Sequence, residues 1–318
     1  VIAAESRPGL VAGMVVAADR AALAAHRTGL AGPVVLVPTM GALHAGHRML
    51  LRRARDLAGP GGSVVVSVFV NPLQFGPNED LDRYPRTLEA DLAVCREHGV
   101  TLVFAPSPAD MYVRAPVVTV DPGPPGGRLE GVTRPGFFRG VLTVVLKFFT
   151  IVRPDVAVFG AKDAQQLALI RAMVTDFDLG VEIVAVPTVR DADGLATSSR
   201  NRYLSAAERA TALSLSRGLA AARAAAAPGP ATAIAAARAI LDEAAAGDPP
   251  LRLDYLALAE PQTFAPVGGD HTGAAVLAVA AWVGTTRLID NAELTFTPAA
   301  APAPAAAPAP VETPEAAR

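Results

Sequence analysis

Short unbroken apolar runs alternate with stretches of helical spacing along the first two-thirds of the chain. Residues 34–37, 63–70, 101–104, 156–159 and 181–187 are runs of this kind, rich in Val, and read as strands buried on both faces. Between them the apolar positions recur every three or four residues. Leu50, Leu51, Ala54 and Leu57 mark a helix over 48–57, and Leu88, Leu92 and Cys95 mark one over 87–98. Further helices are predicted over 17–28, over 141–152 and from the mid-160s to Met173. A strand, a helix and a strand inside about 40 residues form one βαβ unit of a parallel sheet. The repeated alternation predicts an α/β fold, a Rossmann-like parallel sheet with helices on both faces. Val117 to Val120, set in a stretch rich in Pro and Gly, reads as a short extended edge excursion. From Ala206 the pattern changes to Ala-rich helices over 206–226 and 231–245, then to alternating strands over 251–258, 274–283 and 286–291. These predict a small α+β domain with no obvious chemistry of its own. The expected domains are residues 1–188, 189–292 and an Ala/Pro-rich tail, 293–318, that cannot build a core.

Composition adds bounds. The 318 residues suit two domains, and a net charge of −2 shows no bias toward nucleic acid or a membrane surface. A single cysteine, Cys95, excludes an internal disulfide framework and fits a reducing cytosol. Cys95 itself reads as a small buried side chain. Residues 1–16 carry Glu5 and Arg7 and lack a basic start with an unbroken apolar core, so no signal peptide is expected. No uncharged apolar run approaches the length of a membrane span, and the expectation is a soluble, cytoplasmic protein.

The chemistry gathers where strands end. After the run at 34–37 comes Pro38-Thr39-Met40-Gly41-Ala42-Leu43-His44-Ala45-Gly46-His47, a turn from a buried strand into a helix. Its glycines let backbone approach a phosphate, and the helix start offers free N–H groups to an anion. His44 and His47 lie three apart on one side of that start, where they suit charge building on a transferring phosphoryl group. Past the second strand stand Asn71 and Gln74, which the strand-end rule directs into the same crevice. By residue type alone Gln74 could equally be an ordinary loop amide. Residues 77–85 are charged and turn-rich, a mobile loop able to cover the crevice. A second chemical turn, 160–166, carries Lys162, a point charge for phosphates, with Asp163 and Gln166 beside it. A solvated Lys–Asp pair is its bland alternative. A third loop presents Thr197, Ser198, Ser199 and Arg200, hydroxyls and a guanidinium suited to the β- and γ-phosphates of ATP, or equally to capping a helix.

The form H-x-G-H resembles the signature of nucleotidyltransferases and class I aminoacyl-tRNA synthetases. The longer string P-T-M-G-A-L-H-x-G-H resembles the pantothenate synthetase (pantoate–β-alanine ligase) family. Four further stretches resemble it in the same order: 69–76 with 80–87, 129–140, 159–166 and 188–205. The similarity covers about residues 10 to 292. The resemblance implies condensation of pantoate with β-alanine through a pantoyl adenylate, releasing AMP and pyrophosphate. It places ATP on Met40, Gly41, Ala42, Leu43, His44, Ala45, Gly46 and His47, with His47 the proton donor. Gly160, Ala161, Lys162, Asp163, Val189, Thr197, Ser198, Ser199 and Arg200 complete that site, with Lys162 and Arg200 on phosphates. The catalytic set it implies is His47, His44, Lys162 and Arg200. Gln74 and Gln166 would bind pantoate, and Asn71, Glu130 and Arg134 would line the substrate end. It further implies Mg2+ held mainly by ATP phosphates, a homodimer, and a C-terminal domain closing over the nucleotide.

Four positions depart from the family pattern. Ala45 and Ala161 stand where acidic residues are usual, Phe137 where His is common, and Thr197 where Met is usual. The reacting side chains are all present, so the departures bear on ATP affinity. Two other readings compete: a nucleotidyltransferase that stops at the adenylylated product, which amine-dependent AMP release would separate, and an ATP-binding scaffold without catalysis. Gln74 and Gln166 argue against the first.

Overall fold

The computed structural model describes residues 13–77 and 79–297. Two sheets organise it. The first takes β1 (Val15–Ala17), β2 (Val34–Thr39), β3 (Ser63–Val68), β4 (Leu102–Phe104), β5 (Val156–Gly160) and β6 (Glu182–Val186), in the order β1-β4-β3-β2-β5-β6, every pair parallel. Helices α1 (Arg20–Arg27), α2 (Ala45–Ala58), α3 (Leu88–Glu97), the short turns α4 (Pro108–Met111) and α5 (Glu130–Thr133), α6 (Phe137–Val152) and α7 (Ala164–Asp176) connect them.

The side-chain period of a strand explains why both faces are covered. On β2, Val34 and Leu36 enter one core with Leu23 of α1, Phe148 of α6 and Ile170 of α7. Val35 and Val37 point the other way, into a core with Leu51 and Ala54 of α2 and Leu92 and Cys95 of α3. Cys95 is fully buried there, and burial pushes its thiol pKa up to about 12. The expected helices and buried strands of this half are present, with ends shifted by a few residues. The predicted helix over 17–28 is shorter, because Ala17 belongs to β1 and Asp19 caps α1 by accepting the Ala22 N–H at 2.7 Å.

One strand is missing where one was expected. Residues 117–120 form no strand, and Val117 and Val118 are 79% and 84% exposed. Pro116 and Pro122 on either side have no N–H for a ladder, and the Val120 N–H is taken by Thr143 Oγ1 at 3.1 Å.

After β6 the chain builds the second unit. Helices α8 (Ala206–Ala224) and α9 (Pro230–Ala245) cover one face of an antiparallel sheet of β7 (Leu251–Ala259), β8 (Gly273–Val283) and β9 (Thr286–Phe296), in that order. Leu215, Leu219, Ala237 and Leu241 from the helices meet Leu277, Val279, Leu288 and Leu294 from the strands. β9 runs five residues past the 286–291 expected and through the first positions assigned to the tail. The rest of that tail, from residue 298, lies outside the described residues, as do residues 1–12. Among the described residues no helix is long and apolar enough to cross a membrane.

The strand order has one functional consequence. From β2 the chain steps outward through β3 and β4, then returns to place β5 on the other side of β2. The crevice beyond the carboxyl ends of β2 and β5 is therefore the topological switch point, where ligands of open α/β sheets bind. Residues more than a hundred positions apart, in the turns after these two strands, face each other across it.

Candidate active site

The turn after β2 is held in an unusual shape. Gly41 has φ +82° and Ala42 φ +51°, both in the left-handed region. Asp91 of α3 makes that shape favourable: its carboxylate accepts the N–H groups of Ala42 at 3.0 Å and Leu43 at 2.8 Å, and the Thr87 hydroxyl at 3.2 Å. A Cβ on Gly41 would lie 2.9 Å from Asp91 Oδ2, so only glycine fits. Asp91 is buried, and sequence reasoning misses it. The one available signal is an acid beside Leu92 and four residues before Cys95, on the buried face of a helix whose other acids are exposed.

This turn delivers the two histidines. His44 is the N-cap of α2 and His47 its third residue, and they cap reciprocally. Gly46 N–H donates to His44 Nδ1 at 3.2 Å, and His44 N–H donates to His47 Nδ1 at 3.3 Å. Both Nδ1 atoms act as acceptors, which puts the ring proton of each histidine on Nε2. The ring centroids are 4.1 Å apart. Gly46 permits this, since a Cβ there would come within 3.0 Å of the His44 ring. Burial, then the Lys162 charge, lowers the His44 pKa to about 4. Burial, then His44 and Lys162, lowers His47 to about 3. At neutral pH both rings are uncharged hydrogen-bond donors. His47 therefore presents its Nε2–H as a donor from a neutral ring at pH 7.

The crevice, about 250 Å³, is lined by His44, Gly46 and His47 together with Met40, Asn71, Gln74, Arg134, Gly160, Lys162, Asp163, Gln166, Val189, Thr197, Ser198, Ser199 and Arg200. Gly41, Ala42, Leu43, Ala45 and Ala161, also expected at ATP, do not line it. The first three face Asp91, Ala45 is exposed on α2, and Ala161 turns its carbonyl to Asn291.

Each lining group has a fixed posture. Asn71 is buried, with Oδ1 accepting from Leu73 N and the Tyr112 hydroxyl and Nδ2 donating to Gly140 O and Gln74 Oε1. It orients Gln74, whose Nε2 is left on the crevice side, 3.1 Å from Met40 Sδ. Arg134 grips Glu79 with Nε and Nη2, donates to Gln74 O at 3.2 Å, and stacks over Phe137, 3.7 Å from the ring centroid. The Phe137 departure thus supplies a cation–π platform. Thr197 likewise has a partner: its hydroxyl donates to Asp191 Oδ1 at 2.7 Å. Asp80 takes Nε and Nη2 of Arg200, and Tyr84 is buried with its hydroxyl 3.4 Å from Ser199 Oγ. The charged loop, over residues 79–85, is therefore docked on the site through Glu79, Asp80 and Tyr84.

Glu130 departs from its expected place. It does not line this crevice; Arg287 of β9 grips both its oxygens at 2.6 and 2.8 Å, and the Tyr255 hydroxyl donates to it at 2.8 Å. The second unit accordingly contributes more than the sequence suggested. A second cavity of about 570 Å³ lies between the two units and shares Arg134, Lys162, Asp163, Ser198 and Arg200 with the first. Three cations thus stand in the wall between the cavities.

The chain can now be set beside known proteins. A model of the pantoate-β-alanine ligase family matches residues 14–293. The pantothenate synthetase of Thermobifida fusca is 64% identical over 270 residues, spanning 83% of this chain and 90% of that protein. That of Streptomyces coelicolor is 54% identical over 310 residues, 84% of this chain and 92% of that one. Among solved structures, pantothenate synthetase from Thermus thermophilus superposes with a TM-score of 0.80 at 45% identity, covering 87% of this chain and 98% of that one. The Francisella tularensis ligase, solved in complex with β-γ ATP and β-alanine, gives 0.71 at 31% identity over 87% and 97% of the two chains. The chain belongs to the pantoate–β-alanine ligases, the pantothenate synthetases, and condenses pantoate with β-alanine using ATP.

Proposed function

We propose that the condensation runs through an acyl adenylate formed in the crevice at the switch point. A pantoate carboxylate oxygen attacks the α-phosphorus of ATP, a new O–P bond forms, and pyrophosphate leaves. The amine of β-alanine then attacks the acyl carbon. The C–N bond forms, the C–O bond breaks, AMP departs with the bridging oxygen, and the nitrogen loses a proton to solvent. A free carboxylate is a poor electrophile and its mixed anhydride a good one, so the protein need only align reactants and neutralise phosphate charge.

The observation that carries this reading is the meeting of two phosphate-type turns across one crevice, with amides beside them. His44 and His47 give Nε2–H hydrogen bonds to the phosphate under attack. Lys162 and Arg200, with Ser198 and Ser199, hold the departing pyrophosphate at the wall between the cavities. Gln74, held by Asn71 so that its NH2 faces the crevice, donates to pantoate oxygens, and Gln166 completes that end. Arg134 supports it through the Gln74 backbone. Among the described residues no three His, Cys, Asp or Glu side chains converge on one point. Mg2+, which favours phosphate oxygens and retained waters, would sit on ATP phosphates, with Asp163, the carboxylate among the crevice-lining residues, available to it. Its charge would offset that of the triphosphate.

The described residues up to 188 then form the nucleotide- and pantoate-binding domain and 189–292 the domain that closes over ATP. The enzyme acts as a homodimer in the cytoplasm. Val117 and Val118, adjacent and each largely exposed, offer apolar surface to a second copy, and replacing both by Asp should leave a monomer by light scattering. The adenylate route is tested with pantoate carrying heavy oxygen in its carboxylate. One label should reach the phosphate of AMP and none pyrophosphate; ADP as product, or unlabelled AMP, rejects it.

A further inference from the structure

Within the second sheet, β9 makes the contacts nearest Lys162. On β9 the even positions Leu288, Ala292 and Leu294 are buried against α8 and α9. The odd positions Arg287, Ile289 and Asn291 face the first unit, while Glu293 and Thr295 farther along are exposed. Arg287 grips Glu130, and four residues on, the Asn291 amide nitrogen donates to two successive carbonyls, Ala161 O at 3.0 Å and Lys162 O at 2.8 Å. These carbonyls belong to the single helical turn over Ala161–Asp163, whose N-cap Gly160 provides no side-chain hydrogen bond. Asp290, beside it, is buried and accepts Nη1 and Nη2 of Arg190 and the Asn291 N–H. Arg190 adjoins Val189 on the loop that continues to Thr197 and Arg200.

We propose that Asn291 is a positioning residue that acts through Lys162, so that the second unit sets the phosphate-facing lysine of the first. The inference rests on the phosphate role proposed above for Lys162. Lysine is a point charge on a flexible four-carbon stem; the Lys162 ammonium lies 4.0 Å from Asp163 Oδ2, on the same turn, so the backbone of that turn sets where both charges sit. One amide bridging two consecutive carbonyls fixes both peptide planes that flank Lys162. Without it, two partly buried acceptors lose their donor and the turn is free to rotate the lysine away from the crevice. Asn291 touches no reacting atom; it fixes the place from which Lys162 works.

The test measures kcat and KM for ATP and for pantoate in Asn291→Ala and the near-isosteric Asn291→Asp, with melting temperatures, in the wild-type and Lys162→Ala backgrounds. In the wild-type background both variants should lower kcat/KM for ATP about 10- to 100-fold, the range for a catalytic group displaced by about an ångström. The KM for pantoate should stay within about twofold. On top of Lys162→Ala, Asn291→Asp should cost less than about a further twofold, because the group it positions is gone. Near-wild-type ATP kinetics in a folded Asn291→Asp enzyme overturn the inference, as does an equal loss in both backgrounds. If Lys162→Ala is itself of normal activity, the lysine's own role fails and this inference falls with it. An impaired Lys162→Ala beside a normal Asn291→Asp refutes the positioning role alone.

Discussion

The two turns that meet at the switch point are built in opposite ways. The turn after β2 is locked from within its own unit, by Asp91 of α3 on two of its amides and by the reciprocal caps of His44 and His47. The turn after β5 has no side-chain cap of its own and leans on Asn291 of the other sheet. One half of the proposed phosphate site is therefore held within a single unit, and the other half depends on the contact between the two. A histidine pair needs fixed ring tautomers, which short-range bonds supply. A lysine charge can be brought in by movement of a larger body.

Removing the centre of the self-contained turn should have the largest effect. His44→Ala and His47→Ala should each lower kcat by about 100-fold or more with the fold retained, since donors aimed at developing charge are worth that much. Folded variants of near-normal kcat would make the histidines structural. Asp91→Asn comes next. Asn retains one acceptor, so an NH2 group must face either the Ala42 or the Leu43 N–H. We expect kcat to fall about tenfold or more and the melting temperature to drop, the penalty for an unpaired buried group being about 1–3 kcal/mol. An unchanged melting temperature would show that the turn keeps its shape without the carboxylate.

The amides sharpen the comparison, since Gln74 sits beside the first turn and Gln166 in the second. Each Ala variant should weaken pantoate binding by about 1–3 kcal/mol with ATP little changed, as calorimetry can measure. Weakened ATP with intact pantoate would reverse the assignment.

Acid separates the turns further. Unfolded histidines titrate near 6.5, and the folded pair near 4 and 3. Between these values the unfolded chain binds more protons, so the pair's contribution to stability is full above about pH 6.5 and falls as pH drops toward 4 and 3. Denaturation followed from pH 7 to 4 should show that slope, flattened in His44→Gln and His47→Gln. A wild-type slope in both variants would assign the loss to other groups.

Thr197→Met should give the smallest effect. Methionine would add apolar contact in the crevice, but the threonine hydroxyl is bonded to Asp191, which also anchors Arg209. The gain and the lost bond oppose each other, so ATP affinity should move by less than about 1 kcal/mol. A larger gain would mean that the hydrogen bond to Asp191 contributes little.

What the chain declares on its own is what short-range physics sets. Val34–Val37 and Val156–Phe159 read as buried strands because short apolar runs bounded by turn signals suit a strand covered on both faces; the first turn reads as an anion site from its glycines and helix start, the second from the Lys162 charge at a strand end. From these the parallel sheet, the histidine turn and the Lys162 turn were legible, and the five ordered motifs led to the family. The extended reading of 117–120 failed because β-propensity is silent about whether a partner strand exists. The tertiary structure alone decided which side chains line the crevice and which hold the ones that do. Asp91 lies 49 residues from Ala42, and Arg287 lies 157 from Glu130. Such pairs leave no periodicity in the sequence, because each forms only when two separately built elements pack, and a lone Asp, Glu or Asn looks the same whether it meets water or a buried partner.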